Sequence, residues 1–225
     1  MATLDMVSQT NAAKTPEEYY KMFKCSCCGK PIDTDCCETS RQRKAHLDKV
    51  LLEEKDDNAV VLKMVKKFGY EVLMDRSKEQ EVKAYAKRAA AKDSPKIVIE
   101  NPRHNFGTIR QVDGVVVTAF NIKNKGRSDL VITELDTSCG CTSASLVYRG
   151  QKSPAFSMSM HGKNPKDFKL KIPPGDTAIL EVSYDPNAHG KQEKPEIKTI
   201  REVYIMSNDP VDFYQKVKVE LVQIP

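Results

Sequence analysis

The residues best suited to chemistry in this chain are its seven cysteines, which fall into two tight clusters. Five of them lie in the stretch FKCSCCGKPIDTDCC, as Cys25, Cys27, Cys28, Cys36 and Cys37. The other two lie in the stretch TSCGCT, as Cys139 and Cys141. Clustered thiols suit metal ligation or dithiol exchange, whereas a disulfide framework scatters its cysteines between strands and loops. Because seven is an odd number, not every thiol can be paired within the chain.

The first cluster contains a C-x-x-C pair, Cys25 and Cys28. Two thiols at this spacing can close a disulfide across one turn, and neighbouring lysines would favour the attacking thiolate. The same spacing folds around a tetrahedral metal ion, and Cys36 and Cys37 could complete the ligand set, although adjacent cysteines tend to direct their side chains apart. A local disulfide that only staples the loop is the third interpretation. The spacing alone leaves all three open.

The second cluster predicts a soft-metal site. In a strand, alternation would place the sulfurs of Cys139 and Cys141 on one face, and Gly140 would let a ligand approach the backbone closely. A C-x-C disulfide is strained, so free thiols or a soft ion such as Cu(I) are more natural, and the candidate ions for the protein are Cu(I) or Zn(II). The further candidate ligands are Met158, Met160, His161 and His189. Two cysteines that only pack in a core are the alternative.

Helical periodicity surrounds the first cluster. A capping-box pattern at Thr15 starts a short helix, a second helix is predicted over roughly 38–54, and a third starts after Asp56 and stops at Gly69. A polar helix follows and ends before Pro95. The predicted organisation of this half is a flexible N-terminus over 1–15, a helical cysteine domain over 16–76 and a helical linker over 77–95.

After Pro95 the pattern changes to short runs rich in Val and Ile, separated by turn residues. This pattern predicts an antiparallel β-sandwich of about seven strands over 96–225. The aperiodic segment 149–167 is predicted to be a long loop, and loops of that length are often functional. The expected fold class is therefore α+β multidomain: a small three-helix cysteine domain, a helical linker and an immunoglobulin-like antiparallel β-sandwich.

The composition narrows the function classes. The chain is 40% hydrophobic and 30% charged with a net charge of +5, which suits folded domains and not a disordered chain. Basic and acidic residues are interleaved, so no nucleic-acid surface is expected. No apolar run is long enough to span a membrane, and the first twenty residues lack the apolar core of a secretory signal. The protein is thus cytoplasmic, or its signal or anchor has been removed from the precursor.

The stretch FKCSCCGKPI, followed by a charged helix and DNAVVLKMVKKFGYEVLMD, resembles the CcmH-type cytochrome c maturation proteins. Those proteins carry C-x-x-C in a loop of a three-helix domain, and a later helix ends in an aromatic residue and glycine, here Phe68 and Gly69. The resemblance covers about residues 16–76 and implies that Cys25 and Cys28 are a catalytic dithiol that reduces or holds apocytochrome thiols. It also implies a periplasmic or cell-surface location. The cysteines additional to the family pattern are Cys27, Cys36 and Cys37.

In the second half, the segments HNFGTI, NKG, TSCGCT, PPG and SNDP follow one another in this order. This half is similar to the immunoglobulin-like sandwiches of the ASH/HYDIN and major-sperm-protein type, which include a bacterial family of uncharacterised function. The similarity implies the fold of this half, but it implies almost nothing about activity.

Together these observations predict an extracytoplasmic factor that handles thiols or metals, in the context of cytochrome or copper-site maturation. Its expected partner is a thiol-bearing or metal-receiving protein. The alternative is a structural or adaptor protein without enzymatic activity, which would use the sandwich for protein binding. The residues do not decide whether the protein is an enzyme.

Overall fold

The computed structural model describes residues 14–159 and 164–225. The chain divides into two compact units, Met1–Ala86 and Lys87–Pro225. The division falls inside the segment 77–95 that the sequence assigned to a linker. No helix in the described part of the chain is long and apolar enough to cross a membrane.

The first unit is helical, and local sequence signals set its boundaries. Its helices are α1 Pro16–Met22, α2 Glu38–Glu53, α3 Asp57–Phe68 and α4 Glu79–Ala89, the last of which continues into the second unit. The hydroxyl of Thr15 accepts from the N–H of Glu18, whose carboxylate accepts from the N–H of Thr15, which completes the predicted capping box. Asp56 caps α3. The four predicted helices are confirmed, and α4, which was predicted as a polar linker, additionally buries Val82 and Ala86.

Between α1 and α2 the chain turns back on itself in a short hairpin over residues 23–32, which we call the cysteine hairpin. The N–H of Cys25 donates to the carbonyl of Lys30 at 2.8 Å, and the N–H of Ile32 donates to the carbonyl of Phe23 at 3.0 Å. A third segment joins alongside, because the N–H of Lys24 donates to the carbonyl of Val72 at 2.8 Å. Phe23 and Ile32 are fully buried, so the base of the hairpin belongs to the core of the unit.

The second unit is an immunoglobulin-like β-sandwich of two five-stranded sheets, with orders β1-β3-β8-β5-β6 and β2-β10-β9-β4-β7. The strands are β1 Ile97–Ile99, β2 Arg103–Arg110, β3 Val116–Asn124, β4 Leu130–Thr137, β5 Thr142–Tyr148, β6 Gln151–Lys152, β7 Leu170–Ile172, β8 Thr177–Tyr184, β9 Ile197–Ser207 and β10 Tyr214–Ile224. The fold class is confirmed: the sequence predicted about seven strands, and seven of the ten are seven residues or longer. One pairing differs from the antiparallel prediction, since β2 runs parallel to β10.

The two sheets enclose an apolar core, which includes Phe120, Ile122, Leu135, Leu180, Val182 and Ile205. A smaller apolar cluster contains Ile109, Cys141, Tyr184 and Leu221, and Cys139 packs against it. Within the segment 149–167, β6 pairs with β5, and Phe156 bridges to Ala144 and is fully buried. The described part of this segment therefore contributes to the core instead of standing away from it.

Candidate functional site

Cys139 and Cys141 lie in the turn that joins β4 to β5, and not in a strand as the alternation argument expected. The N–H of Thr142 donates to the carbonyl of Cys139 at 3.1 Å and closes the turn. The N–H of Cys141 donates to the sulfur of Cys139 at 3.4 Å. The turn, and not strand alternation, therefore brings the two thiols to the same place.

Neighbouring strands hold this turn in position. The N–H of Ser138 donates to the carbonyl of Glu202 on β9, and the N–H of Glu202 donates to the hydroxyl of Ser138, both at 2.9 Å. The hydroxyl of Thr137 lies 2.9 Å from the carbonyl oxygen of Cys139. Because two of these bonds tie the turn to β9 and the third lies within the turn, the thiols are carried by a fixed piece of backbone.

His189 reaches the turn from the connection between β8 and β9. The side chain of Gln111 is buried and holds this connection: its amide donates to the carbonyls of Pro186 at 3.0 Å and Gly190 at 2.6 Å, and its carbonyl accepts from the N–H of Gln192 at 2.8 Å. These bonds fix the backbone before His189, at Pro186, and after it, at Gly190 and Gln192. Gln111 is thus a positioning residue for the imidazole.

Cys139, Cys141 and His189 form a set of candidate metal ligands that we call the sandwich triad. The sulfur of Cys139 lies 3.2 Å from Nε2 of His189, and the three ligand atoms all lie within 4.8 Å of one another. A tetrahedral ion bound to sulfur at about 2.3 Å and to imidazole nitrogen at about 2.0 Å separates those two atoms by about 3.5 Å. The spacing of the triad therefore suits one ion.

Exposure across the sandwich triad is graded. Cys141 is buried, Cys139 is intermediate and His189 is exposed. His189 and Arg201 also line a surface cleft, together with Lys191, Lys194 and Lys198. The triad is accordingly reached from solvent on its histidine side and closed on its Cys141 side.

Arg201, on β9, supplies a positive charge to the triad. Its Nε donates to the sulfur of Cys141 at 3.0 Å, and its Nη1 donates to the carbonyl of Ile200 at 2.9 Å. Burial lowers the pKa of Arg201, but its hydrogen bond to Cys141 and the charges of Cys141 and Cys139 more than offset this effect, and the net shift is upward. A guanidinium fixed in this way stabilises negative charge on the two sulfurs.

The two thiols of the triad differ in acidity. Burial raises the pKa of Cys139, but hydrogen bonds from Cys141 and from His189, with the charge of Arg201, lower it to about 7. The pKa of Cys141 is raised, first by burial and then by its contact with Cys139, against the opposing effect of Arg201. The proton therefore leaves Cys139 first.

The other cluster gathers around the cysteine hairpin and the start of α2. Cys25 is fully buried, and its sulfur lies 3.3 Å from that of Cys37, the residue that precedes α2. The sulfur of Cys28 lies 2.9 Å from that of Cys36. The adjacent Cys36 and Cys37 do not direct their side chains apart, since their sulfurs are 4.0 Å from each other. The sulfurs of Cys25, Cys28 and Cys36 all lie within 4.8 Å, so the predicted C-x-x-C pair shares its site with the downstream thiols.

The backbone of the cysteine hairpin changes the acidity of the C-x-x-C pair. Burial raises the pKa of Cys25, but hydrogen bonds from the backbone of Cys28 and Cys27 lower it, and the net shift is downward. The pKa of Cys28 is lowered by the thiol of Cys36 and by the backbone of Lys30. The pKa of Cys36 is raised to about 12, chiefly by the same hydrogen bond to Cys28. The hairpin backbone thus favours negative charge on Cys25 and Cys28.

A buried cation lies beside this cluster. Arg43 on α2 donates through Nη1 to the carbonyl of Lys24, and its guanidinium stacks over the ring of Phe68 at 5.3 Å. Only 7% of Arg43 is exposed, and its Nε has no hydrogen-bond partner in the described part of the protein. Burial lowers the pKa of Arg43, while the charges of Cys25, Cys27 and Cys37 oppose that shift.

Of the predicted metal ligands, the structure brings together Cys139, Cys141 and His189, whereas Met160 and His161 lie outside the described residues. Sequence reasoning missed Arg201 and Gln111. No local pattern marks either residue, because both act on partners far away in the chain.

A family model described as a protein of unknown function (DUF1573) matches residues 97–154. This range runs from β1 through β6 and includes Cys139 and Cys141, but it stops before His189 and Arg201. A search of curated proteins found no match to this chain.

Among solved structures, a protein of unknown function from Porphyromonas gingivalis W83 is similar at 18% identity and a TM-score of 0.43, over 60% of this chain and 50% of that one. This chain thus spans half the length of that protein. The ASH / PapD-like domain 7 of human CEP192 is similar at 13% identity and a TM-score of 0.33, over 60% of this chain and 88% of that one. A family 123 glycoside hydrolase from Clostridium perfringens is similar at 9% identity and a TM-score of 0.37, over 60% of this chain and 26% of that one.

Proposed function

We propose that this protein is a metal-handling factor that binds Cu(I) at the sandwich triad of Cys139, Cys141 and His189. The observation that carries the proposal is the convergence of two thiols and one imidazole. The sulfur of Cys139 lies 3.2 Å from Nε2 of His189, and all three ligand atoms lie within 4.8 Å of one another. Thiolate and imidazole are ligands that suit Cu(I). Cys141 and Cys139 also pack with Ile109, Tyr184 and Leu221, whereas His189 takes no part in that apolar cluster.

The charge of the site favours a monovalent ion. Two thiolates carry two negative charges, and the guanidinium of Arg201, 3.0 Å from the sulfur of Cys141, carries one positive charge. Cu(I) brings the sum to zero, whereas Zn(II) leaves one positive charge beside the buried Cys141. An uncompensated charge in a partly buried site is unfavourable, so Cu(I) is expected to bind in preference to Zn(II).

The exposure of the triad suits transfer of the ion to another protein. Cys141 is buried and would retain the ion, while the exposed His189 could be displaced by an incoming ligand from the adjoining cleft. The partner would then be a metal-receiving protein that presents a thiol, thioether or imidazole. The resemblance of the helical unit to CcmH-type domains supports a location outside the cytoplasm. Dithiol exchange by Cys25 and Cys28 stays a prediction from that resemblance.

The test is Cu(I) binding by the reduced full chain without oxygen, in competition with a chromophoric Cu(I) chelator. The affinity of the triad is read from the protection of Cys139 and Cys141 against alkylation, because the five thiols of the helical unit can also bind Cu(I). We expect one ion at the triad, and a loss of affinity of at least about tenfold in Cys139→Ser and in His189→Gln. His104→Gln is the matched control, because His104 contacts Phe106 in the same unit and belongs to no ligand group of the described residues. Equal affinities in all four proteins would overturn the proposal. Absence of Cu(I) binding, with unreactive thiols at 139 and 141, would favour the adaptor alternative.

A further inference from the structure

We infer that the cysteine hairpin and the start of α2 form a zinc site, in which Cys25, Cys28, Cys36 and Cys37 hold one structural Zn(II). This site belongs to the helical unit and is independent of the Cu(I) proposal for the sandwich. It assigns the extra cysteines Cys36 and Cys37, which the C-x-x-C resemblance leaves without a role.

The hairpin has the shape of a metal knuckle. Its backbone reverses through Gly29 at a φ of +69°, and the N–H of Gly29 donates to the carbonyl of Cys25 at 3.0 Å. The N–H of Cys25 also donates to the carbonyl of Lys30 at 2.8 Å, so the backbone on both sides of the turn is tied together. A turn closed in this way holds Cys25 and Cys28 on one short piece of backbone, as a metal knuckle requires.

The second pair of ligands comes from the other side. Zn–S bonds of about 2.3 Å at a tetrahedral centre place the sulfurs about 3.8 Å apart. Cys37 lies 3.3 Å from Cys25, Cys36 lies 2.9 Å from Cys28, and Cys36 and Cys37 are 4.0 Å apart. These three sulfur–sulfur distances bracket the expected value, and the sulfurs of Cys25, Cys28 and Cys36 lie within 4.8 Å of one another. Cys37 meets Cys25 and Cys36 but does not share one group with Cys28, so a rotation of its side chain toward Cys28 completes the tetrahedron.

Cys27 is the fifth thiol of the cluster, and it has a different environment. It is exposed, and its sulfur donates to the hydroxyl of Thr39 at 3.6 Å. It also lies within 4.8 Å of Cys25 and Cys37, but it forms no such group with Cys28 and Cys36 among the described residues. Cys37 likewise forms no such group with Cys28 and Cys36, so this criterion alone does not separate the two thiols. Each of the four proposed ligands has its sulfur within 4.0 Å of the sulfur of another, whereas the sulfur of Cys27 contacts the hydroxyl of Thr39. On this difference Cys27 is left outside the ligand set and serves as the matched control.

The buried Arg43 is an independent observation that calls for an anionic centre here. Only 7% of Arg43 is exposed, and its Nε has no hydrogen-bond partner among the described residues. No carboxylate pairs with it in the same part of the protein. A buried guanidinium without a counter-charge is strongly unfavourable. Zn(II) with four thiolates carries two negative charges, and it would supply that counter-charge to a side chain on which Cys25 and Cys37 already act.

A zinc ion at this place would join three parts of the helical unit. The hairpin pairs with the segment after α3 through Lys24 and Val72, and Cys37 directly precedes α2 at its N-cap position. Ser40 in the first turn of α2 donates to the carbonyl of Ile32 at 3.0 Å. Because ligand binding is coupled to folding in small metal domains, removing the ion should loosen this whole region.

The first test is titration of the reduced full chain with Co(II), which reports tetrahedral thiolate ligation by intense ligand-field and sulfur-to-metal charge-transfer bands, followed by displacement with Zn(II). We expect one Co(II) with a four-sulfur spectrum in the wild type, in Cys27→Ser and in Cys139→Ser. Cys28→Ser and Cys36→Ser should lower the Co(II) affinity by at least about a hundredfold. A Cys28→Ser protein with wild-type affinity, or a spectrum lost in Cys27→Ser, would overturn the assignment.

The second test needs no variant that could fail to fold. The native and the denatured wild-type chain are compared by mass spectrometry together with metal analysis, and helix content is followed by circular dichroism on adding a zinc chelator. One zinc per chain, and a loss of helix signal on chelation while strand signal persists, is the expected result. A metal-free chain whose mass shows disulfides among these cysteines, or whose Cys25 and Cys28 exchange disulfides with a small thiol, would refute the zinc site and favour the staple or the dithiol. Retention of zinc in Cys139→Ser separates the outcome from that of the Cu(I) proposal.

Discussion

The acidity of Cys139 gives a test of the electrostatics of the sandwich triad. Burial raises the pKa of this thiol, but Cys141, His189 and Arg201 bring it to about 7 from an ordinary value of 9.0. In the reduced, metal-free protein at pH 7, about half of Cys139 is then thiolate, against about 1% of an ordinary thiol with a pKa of 9.0.

At pH 7 the reaction rate of Cys139 exceeds that of an ordinary thiol by less than the ratio of their ionised fractions. At high pH the order of the two rates is reversed. A thiolate loses about 0.4–0.5 log units of nucleophilicity for each unit by which its pKa falls, so a fall of two units slows the thiolate about eightfold. The fifty-fold gain in ionisation at pH 7 therefore becomes a gain in rate of about sixfold. Above the pKa of an ordinary thiol, where both are ionised, Cys139 should react more slowly than its reference.

The assay is alkylation by iodoacetamide across a range of pH, with the label on each cysteine quantified by peptide mass spectrometry. The rate at Cys139 should rise with a midpoint near pH 7 and then level off. Arg201→Gln removes a positive charge from the triad and should move the midpoint upward, and the rate at pH 7 should fall. Arg149→Gln is the control, because Arg149 is exposed and pairs with Asp176. A wild-type midpoint close to 9, or the same midpoint in both variants, would refute the reasoning.

Three further predictions follow from packing and charge. Gln111→Ala removes three hydrogen bonds that hold the β8–β9 connection, and denaturant titration should show a free energy of unfolding lower by about 2–4 kcal/mol. The Cu(I) affinity should also fall by about tenfold or more. An unchanged affinity would mean that the loop is held by other contacts. Gly126→Ala would place a Cβ 2.5 Å from backbone atoms of Pro95, so urea unfolding should reveal a loss of about 1–3 kcal/mol, and a stable variant would contradict this packing. Arg43→Met should weaken zinc binding by about tenfold in competition with a chelator, whereas Arg41→Met, at an exposed position, should not. Equal zinc affinities of the two variants would argue against charge compensation by Arg43.

Much of the fold could be predicted because its signals are local. The capping box at Thr15, the cap at Asp56 and the stop at Gly69 each depend on residues within one helical turn, and all three helix boundaries follow from them. The change from helical to strand periodicity near Pro95 likewise predicted the sandwich. The parallel pairing of β2 with β10 was missed, because strand neighbours far apart in sequence leave no mark in either strand.

The candidate sites divide in the same way. The sequence determined that thiols cluster at two places and that His189 was a possible ligand, since residue type and spacing alone carry that information. Only the tertiary structure decided that His189 meets Cys139 while Arg201 meets Cys141, and that Cys25 lies nearest to Cys37. Contacts between distant segments depend on sheet register and on loops held by buried groups, which are properties of the whole packed chain and not of any short stretch of it.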